Sequence, residues 1–382
     1  MLAPSSSAEL ADALLQAATA GRSIALAGNS TKRRMAGPLE AADVAITTMS
    51  LRGVLQYEPR DLTISVYAGL AWCELTQLLA ENRQMVPLDP PFGESATVGG
   101  VVSANCSGPR RRLYGTARDL VIGMQFATLE GKLVKSGGMV VKNVAGLDMA
   151  KLMIGSFGTL AAITVVNFKV QPMPEVERSF LLPFESAAAA IAARNAILTG
   201  PLQPAAVDLL NPAAARTLGN SNWLLALRVG GNEAAVQRYE RDFAAFADGM
   251  AFDRGEPQAA LWRHVENFTP VFLATREDGA VVRASCTLKE SEAVMQSFPG
   301  PAVARAGSGV CYGYFERAQA AADWLNAHRD ACKAVIEFAP EGSRRTLDLW
   351  PSPGGDFEIM KRVKQLFDPR NLLNRGRLYR LI

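Results

Sequence analysis

A chain of 382 residues is too long for one ordinary core and suits two or three domains. Apolar residues make up 49% and charged residues 20%, which fits a folded globular protein, and a net charge of +3 predicts no nucleic-acid partner. Five scattered cysteines without CxxC, and two histidines without HxH or HExxH, argue against a disulfide framework, a cysteine-bound iron–sulfur cluster and a catalytic metal, so the chain reads as cytoplasmic.

The N-terminus has no charged segment followed by an apolar run, so it is no signal peptide. Ser7 can cap a helix carrying Leu10, Leu14 and Leu15, closed by Gly21. No window approaches the roughly 18 uninterrupted apolar residues of a membrane span. Peripheral membrane contact through a partner stays open. Residues 23–27 read as a buried strand running into the polar turn Gly28-Asn29-Ser30-Thr31-Lys32. Further strands are expected at 44–48 and 62–67, and a helix at 71–81 with Leu75, Leu78 and Leu79 inward.

Residues 87–119 (PLDPPFGESATVGGVVSANCSGPRRRLYGTARD) are the most informative stretch. Gly99, Gly100 and Gly108 remove side chains where a ligand would clash, and Thr97, Ser103, Asn105 and Ser107 offer short polar groups. Two readings stand: a Gly/Pro-rich surface loop, or backbone lying against a large polar cofactor. Arg110-Arg111-Arg112 is either a solvated cluster or a positive field for cofactor phosphates or a partner. Next come a hairpin of 121–128 and 132–135 turning at Glu130-Gly131, a short helix around 148–153, the loop 155–159 and a long apolar strand, 160–170.

Pro172 and Pro174 mark a domain boundary. Beyond them, strands near 177–184, 205–210, 222–229, 280–286, 302–313 and 333–338 alternate with helices near 186–198, 232–247, 257–267, 288–297 and 316–330, an α+β texture. A last helix, 358–367, stops at Asp368-Pro369, and NLLNRGRLY ends the chain as a segment expected to dock. The domains expected are 1–173, 174–340 and a tail, 341–382.

GxGxxG after a strand and GxxxxGK[ST] are both absent, which weakens the Rossmann and P-loop readings. The turn at 28–32 is a nest able to hold a pyrophosphate, or a generic strand end. One pocket could use this turn, the 97–108 loop and the 155–159 loop together.

The pattern DLTISVYAGLAWCEL, PLDPPFGESATVGGVVSANCSGPRRRLYGTARDLVIG and KNVAGLDMAKLMIGSFGTLAAIT, with the tail LFDPRNLLNRGRLY, resembles the vanillyl-alcohol oxidase (PCMH-type) flavoproteins. Within them it is most similar to the FAD-binding E subunits of glycolate oxidases. The resemblance covers about 20–172 and 360–382. It implies an α+β fold: a two-subdomain PCMH-type FAD-binding domain, an α+β cap, and a C-terminal segment returning to the FAD domain. It implies non-covalent FAD, a small 2-hydroxy-acid substrate such as glycolate or D-lactate, and a complex with a larger flavoprotein subunit and an iron–sulfur subunit.

By the same resemblance Gly28, Asn29, Ser30 and Thr31 form the pyrophosphate loop, and Pro87, Leu88 and Asp89 line the flavin. Thr97, Gly99, Gly100, Ser103, Asn105, Ser107 and Gly108 cradle the pyrophosphate, ribityl chain and ring. Gly115, Gly158, Thr159 and Ile163 contact the adenosine half or ring edge, and Asn374 and Arg377 approach from the other side. The chain departs from the family at Leu147 (KNVAGYD has Tyr), Ala161 (GTLGVIT has Gly) and Arg375 (NPGR has Pro). With no His before 264, a histidyl link to FAD near the first loop is impossible, and Cys106 is read as a small packing residue rather than a thioether link.

Oxidising a 2-hydroxy acid needs a base, a cation for the carboxylate and an electron acceptor. His264 is a base candidate or a half-buried helical residue, and Arg283, on a strand, is a carboxylate ligand or an ion-pair partner. The paired histidines of catalytic relatives are missing. The chain is therefore expected to serve electron transfer or assembly within a complex, with self-sufficient oxidation and a structural flavin-binding role as alternatives.

Overall fold

The computed structural model describes residues 1–139, 147–246, 251–253 and 257–382. They form two compact units, Met1–Cys106 with Thr116–Met173 and Ser352–Ile382, and Ser107–Gly115 with Pro174–Pro351.

In the first unit, helix α1 (Ser7–Thr19) begins where Ser6 Oγ accepts the Glu9 amide at 3.1 Å. The cap is thus Ser6, one residue before the Ser7 expected. Leu10, Ala11, Leu14, Ala17 and Ala18 form its buried stripe, spaced by one turn. Gly21, at φ 67°, lets the chain leave the helix. Strands β1 (Ile24–Ala27) and β2 (Val44–Thr47) pair in parallel. A five-stranded antiparallel sheet follows, built from β3 (Val54–Glu58), β4 (Thr63–Tyr67), β6 (Val121–Ala127), β7 (Leu133–Gly137) and β8 (Ala162–Lys169) in the order β3-β4-β8-β6-β7. The short pair β5 (Gln84–Met85) and β9 (Gln171–Pro172) stands apart. Helices α2 (Trp72–Glu81) and α3 (Val98–Ser103) accompany the sheet, with Trp72 edge-on to Phe168 at 6.1 Å.

The last residues complete this unit. Leu372 and Leu373 join Leu10, Leu14, Ile24, Ile46, Ala127 and Ala162 in one core cluster. The Ile24 amide donates to Leu372 O at 2.8 Å and the Asn374 amide to Ile24 O at 2.9 Å, so the tail extends the β1–β2 pair. Behind it, Lys364 Nζ donates to Asp368 Oδ2 (2.7 Å), Thr159 O (2.8 Å) and Leu373 O (3.0 Å). Asp368 in turn accepts the amides of Leu372 and Leu373 at 2.9 and 2.8 Å.

The second unit is an eight-stranded antiparallel sheet of β10 (Val176–Phe184), β11 (Ala206–Leu210), β12 (Trp223–Gly231), β13 (Ala251–Asp253), β14 (Ala280–Ser285), β15 (Ala302–Arg305), β16 (Val310–Phe315) and β17 (Lys333–Phe338), in the order β13-β10-β12-β11-β15-β16-β14-β17. Alternation divides its faces. Phe180, Leu182, Leu225, Leu227, Val282, Ala284 and Phe315 pack with Ile191, Ile197, Val236, Phe243, Val294 and Leu325 of four helices. Asp208, Arg305, Tyr312, Arg283 and Glu337 carry the opposite parity.

The sequence reading drew 107–115 with the first domain and 341–382 as one tail. The structure groups 107–115 and 341–351 with the second unit. Arg112 explains the first: its guanidinium donates to Pro204 O and Gln203 Oε1, both at 2.7 Å. Buried Leu349, accepting the Ile336 amide at 2.8 Å, explains the other.

Lys364 and Asp368 are 4% and 1% exposed, so removing one leaves a buried, unmatched charge. Asp368→Ala is expected to lower the stability of the first unit by about 3–5 kcal/mol, measured by urea unfolding. A loss within 0.5 kcal/mol, roughly the surface-substitution range, would contradict this clamp.

Candidate functional site

One open cleft of the first unit is walled by Leu26, Ala27 and Gly28 from the end of β1, by Gly99, Gly100 and Ser103 of α3, by Phe157 and Gly158, by Ile163 of β8, and by Asn374 from the tail. Thr48, Ala68 and Ala161 complete it. Two glycines set its width. A Cβ on Gly28 would lie 2.2 Å from Thr97 Oγ1, and one on Gly158, which sits at φ 68°, would lie 2.9 Å from Asn374 Nδ2. Thr97 is held in turn, its Oγ1 accepting the Gly100 amide at 3.2 Å. Asn374 spends its amide on the walls: Oδ1 accepts the Leu26 amide (2.7 Å), and Nδ2 donates to Leu26 O (3.0 Å) and Phe157 O (2.9 Å).

Backbone strain gathers in the same loops. Ser30, Asp89, Asn105, Phe157 and Asn374 are non-glycine residues at φ of 54°, 47°, 50°, 53° and 46°. Each such conformation costs on the order of 1–3 kcal/mol and persists where the surroundings enforce it, commonly at ligand sites. All but Phe157 were singled out from sequence.

The cleft walls thus bring together Gly28, Gly99, Gly100, Ser103, Gly158, Ile163 and Asn374 of the residues expected from sequence. Asn29 bonds Ser95 O at 2.8 Å on the surface, Thr31 Oγ1 accepts Lys32 Nζ at 3.2 Å, and Pro87, Leu88 and Asp89 are buried. Thr159 is buried, its hydroxyl donating to Ser156 O at 2.7 Å. Arg377 donates to Gly37 O at 2.9 Å and stands over Phe157, 5.4 Å from the ring centroid. Ser107, Gly108 and Gly115 belong to the second unit, so the cleft is built without them. The KNVAG motif, 142–146, lies outside the described residues.

On its polar face the second unit carries a charged row. Arg305 is ion-paired to Asp208 and stands over Tyr312, 5.6 Å from the ring centroid. Burial disfavours the Arg305 cation, but the Asp208 carboxylate outweighs it and keeps the group protonated. Arg283 Nε meets Glu337 Oε1 at 3.1 Å and its Nη1 donates to Ser285 Oγ at 3.3 Å. Arg111 acts electrostatically on the same groups. It donates to Ser107 Oγ at 3.3 Å, and no carboxylate among the described residues is in salt-bridge contact with it. Burial pushes the Tyr312 phenol up to about 12, so it stays a hydrogen-bond donor. Burial also raises Glu337, against the pull of Arg283, Arg111 and Arg305. Sequence reasoning found Arg283 and treated 110–112 as one cluster. The structure separates Arg111, on the row, from Arg112, spent on Gln203 and Pro204. His264 is not part of the row: its Nε2 is 2.8 Å from Thr217 Oγ1, and burial lowers its pKa.

Comparison with known proteins points to FAD as the chain's cofactor. A family profile described as "FAD binding domain" matches residues 1–137, and one described as "FAD linked oxidases, C-terminal domain" matches 353–378. The first match contains Gly28, Gly99, Gly100 and Ser103 of the cleft and the second contains Asn374, while Phe157 to Ile163 lie between them.

The chain is a flavoprotein, similar to the FAD-linked oxidases over these two segments.

Over 330 residues it is 29% identical to the glycolate oxidase subunit GlcE of Escherichia coli (strain K12), covering 86% of this chain and 85% of that one. It is 31% identical to the mitochondrial D-lactate dehydrogenase [cytochrome] of Arabidopsis thaliana over 47% of this chain, spanning only 31% of that relative. An alkyldihydroxyacetonephosphate synthase shares the fold at a TM-score of 0.74 and 18% identity, over 97% of this chain and 75% of that one. The fold is thus α+β and PCMH-type.

The cleft's lining fits FAD: four glycines leave room for a ligand chain, Thr48 and Ser103 offer hydroxyls, and Leu26, Phe157 and Ile163 offer apolar surface. Gly28, Gly99, Gly100, Ser103 and Gly158 are the residues that would hold the cofactor's polar chain. Both histidines lie in the second unit, so no histidyl link can form from the first. Among the described residues no helix is long and apolar enough to cross a membrane.

Gly28→Val would drive side-chain atoms into Thr97. Overpacking of about 1–3 kcal/mol predicts a rise in the FAD Kd of roughly tenfold or more, read by flavin fluorescence quenching. Unchanged affinity would contradict the cleft as the cofactor site.

Proposed function

We propose that this chain is the FAD-binding subunit of a complex that oxidises glycolate, and D-lactate, to the 2-oxo acid and passes electrons to an iron–sulfur partner. A larger flavoprotein subunit of the same complex carries the main oxidation. The observation that carries this reading is likeness across nearly the whole of both chains to a protein named as a glycolate oxidase subunit. Likeness to the Arabidopsis D-lactate dehydrogenase covers only about half of this chain.

The reaction takes a proton from the hydroxyl and a hydride equivalent from the carbon beside the carboxylate. FAD supplies the acceptor for the hydride. Among the described residues, both histidines are engaged with neighbouring groups. His264 is hydrogen-bonded to Thr217, and His328 stacks on Trp324 at 4.3 Å with its Nδ1 2.9 Å from Trp324 O. Glu337 is held by Arg283.

The charged row favours a second reading, in which this chain binds the acid itself. Arg111, Arg283 and Arg305 face two carboxylates, Asp208 and Glu337, leaving one cation in excess for a single small carboxylate. Tyr312 would donate to the same ligand. The balance suits a monocarboxylate such as glycolate or lactate.

The two readings separate under anaerobic conditions. Glycolate or D-lactate added to the isolated, FAD-loaded chain is expected to leave its flavin oxidised over many turnover times of the complex. Bleaching at rates of about 1 per second or faster, in the range of ordinary enzyme turnover, would overturn the subunit reading and favour oxidation by this chain. In that event Arg111→Met should raise KM by roughly tenfold or more, the weight of a charge-assisted contact.

A further inference from the structure

Lys32 follows the polar turn at the end of β1 and is 8% exposed. Lysine is almost never buried this far without an anion, because an ammonium taken out of water costs several kcal/mol. Its Nζ has one hydroxyl contact, Thr31 Oγ1 at 3.2 Å, and stands 5.9 Å from the Phe92 ring centroid. No carboxylate is among its partners in the described residues, and 140–146, the undescribed part of the same unit, contain no Asp or Glu. Burial lowers its pKa, and Cys106 is the one group that acts in the other direction. The fold thus maintains a cation with no carboxylate counter-charge among the described residues.

FAD carries two kinds of negative charge, the diphosphate at all times and the isoalloxazine ring after reduction. The diphosphate calls for backbone amides and short hydroxyls, which the glycine-walled cleft offers, and Lys32 is not among that cleft's walls. Its surroundings are of another kind. Phe92 lies beneath its ammonium, Cys106 is near enough to act on it electrostatically, and Arg377, which donates to Lys32 O at 3.4 Å, lies over Phe157. Flat rings and a thiol suit a planar heterocycle rather than a phosphate. A cation there acts at low dielectric, where its field is strong.

We infer that Lys32 supplies the positive charge that balances the negative charge taken up by the flavin ring on two-electron reduction, and so makes the bound flavin a stronger oxidant. The charges balance. Oxidised flavin plus a hydride equivalent, two electrons and one proton, gives a reduced ring of net charge −1, and the Lys32 ammonium offsets it. The proton that leaves the substrate hydroxyl plays no part.

The test uses the full-length, FAD-loaded protein and does not depend on finding a substrate. FAD retention by the wild-type protein establishes the cofactor independently. Two probes then read the ring: the midpoint potential, and the affinity for sulfite, which adds to oxidised flavin and leaves the ring anionic. Lys32→Met is expected to weaken sulfite binding by about tenfold or more and to lower the midpoint potential by the matching ~30 mV for a two-electron couple. Lys32→Arg, which keeps the charge, is expected to stay within about twofold of wild type in sulfite affinity, well under the tenfold worth of a single 1.4 kcal/mol step. Lys32→Gln provides a second neutral variant should Lys32→Met not fold. A neutral variant, folded by circular dichroism, that keeps wild-type potential and sulfite affinity overturns the inference. So does one that loses only FAD affinity, since that result assigns Lys32 to the diphosphate.

Discussion

A buried ammonium–carboxylate pair four residues apart, Lys364 with Asp368, is the constraint on which the first unit depends. It does more than neutralise charge. Lys364 ties the Gly158 loop to the tail through Thr159 O and Leu373 O, and Asp368 takes two tail amides. The tail, so held, offers Asn374 to β1 and to Phe157. Residues near 26, 158 and 374 thus share one cleft because one short tail is fixed in place. The bonds of Lys364 and Asp368 hold the tail that carries Asn374, so the stability of this unit and the shape of the cleft draw on the same bonds. Pairing β1 with residues almost a whole chain away also implies slow folding, since the long loop must close before the contact stabilises anything.

The two units use buried charge in different ways. In the first, Lys32 is kept without an acid partner in a protein region that receives an anionic cofactor. In the second, arginines and acids interleave along a sheet face, Asp208 with Arg305 and Arg283 with Glu337, with Arg111 added from 107–115. Self-compensated pairs fix side-chain positions, and the added guanidinium leaves a net cation. The guanidinium donors there are planar and held, so their directions are fixed as well as their charge.

Much of this was legible in the sequence wherever local chemistry decides the structure. Gly28 and Gly158 marked close approaches, the Glu130-Gly131 turn gave the β6–β7 hairpin, and the Asp368-Pro369 stop gave the end of the last helix. The segment 97–108 read as loop, yet its first half is α3. Two adjacent glycines hide a helix whose formation rests on the Thr97 cap and on burial of Val98, Val101 and Val102. Strand β3 was also missed. Four of its five residues are exposed, so no alternation of apolar and polar side chains betrays it. Arg111 could not be told from Arg112 by sequence, because the groups that distinguish them sit some 90 to 225 residues further along the chain. Lys32 was passed over for a related reason: a lysine after a polar turn looks solvated, and only the fold places it beneath other side chains.

We propose that the first unit holds FAD reversibly, in the cleft that Gly28, Gly100, Gly158 and Asn374 help to wall. The most direct measurement is a flavin titration of the purified apoprotein, followed by acid precipitation. The account predicts one FAD bound per chain, with a visible flavin band that appears on binding and leaves with the supernatant. A protein that stays colourless at saturating FAD, or a flavin that remains with the precipitate, would contradict it.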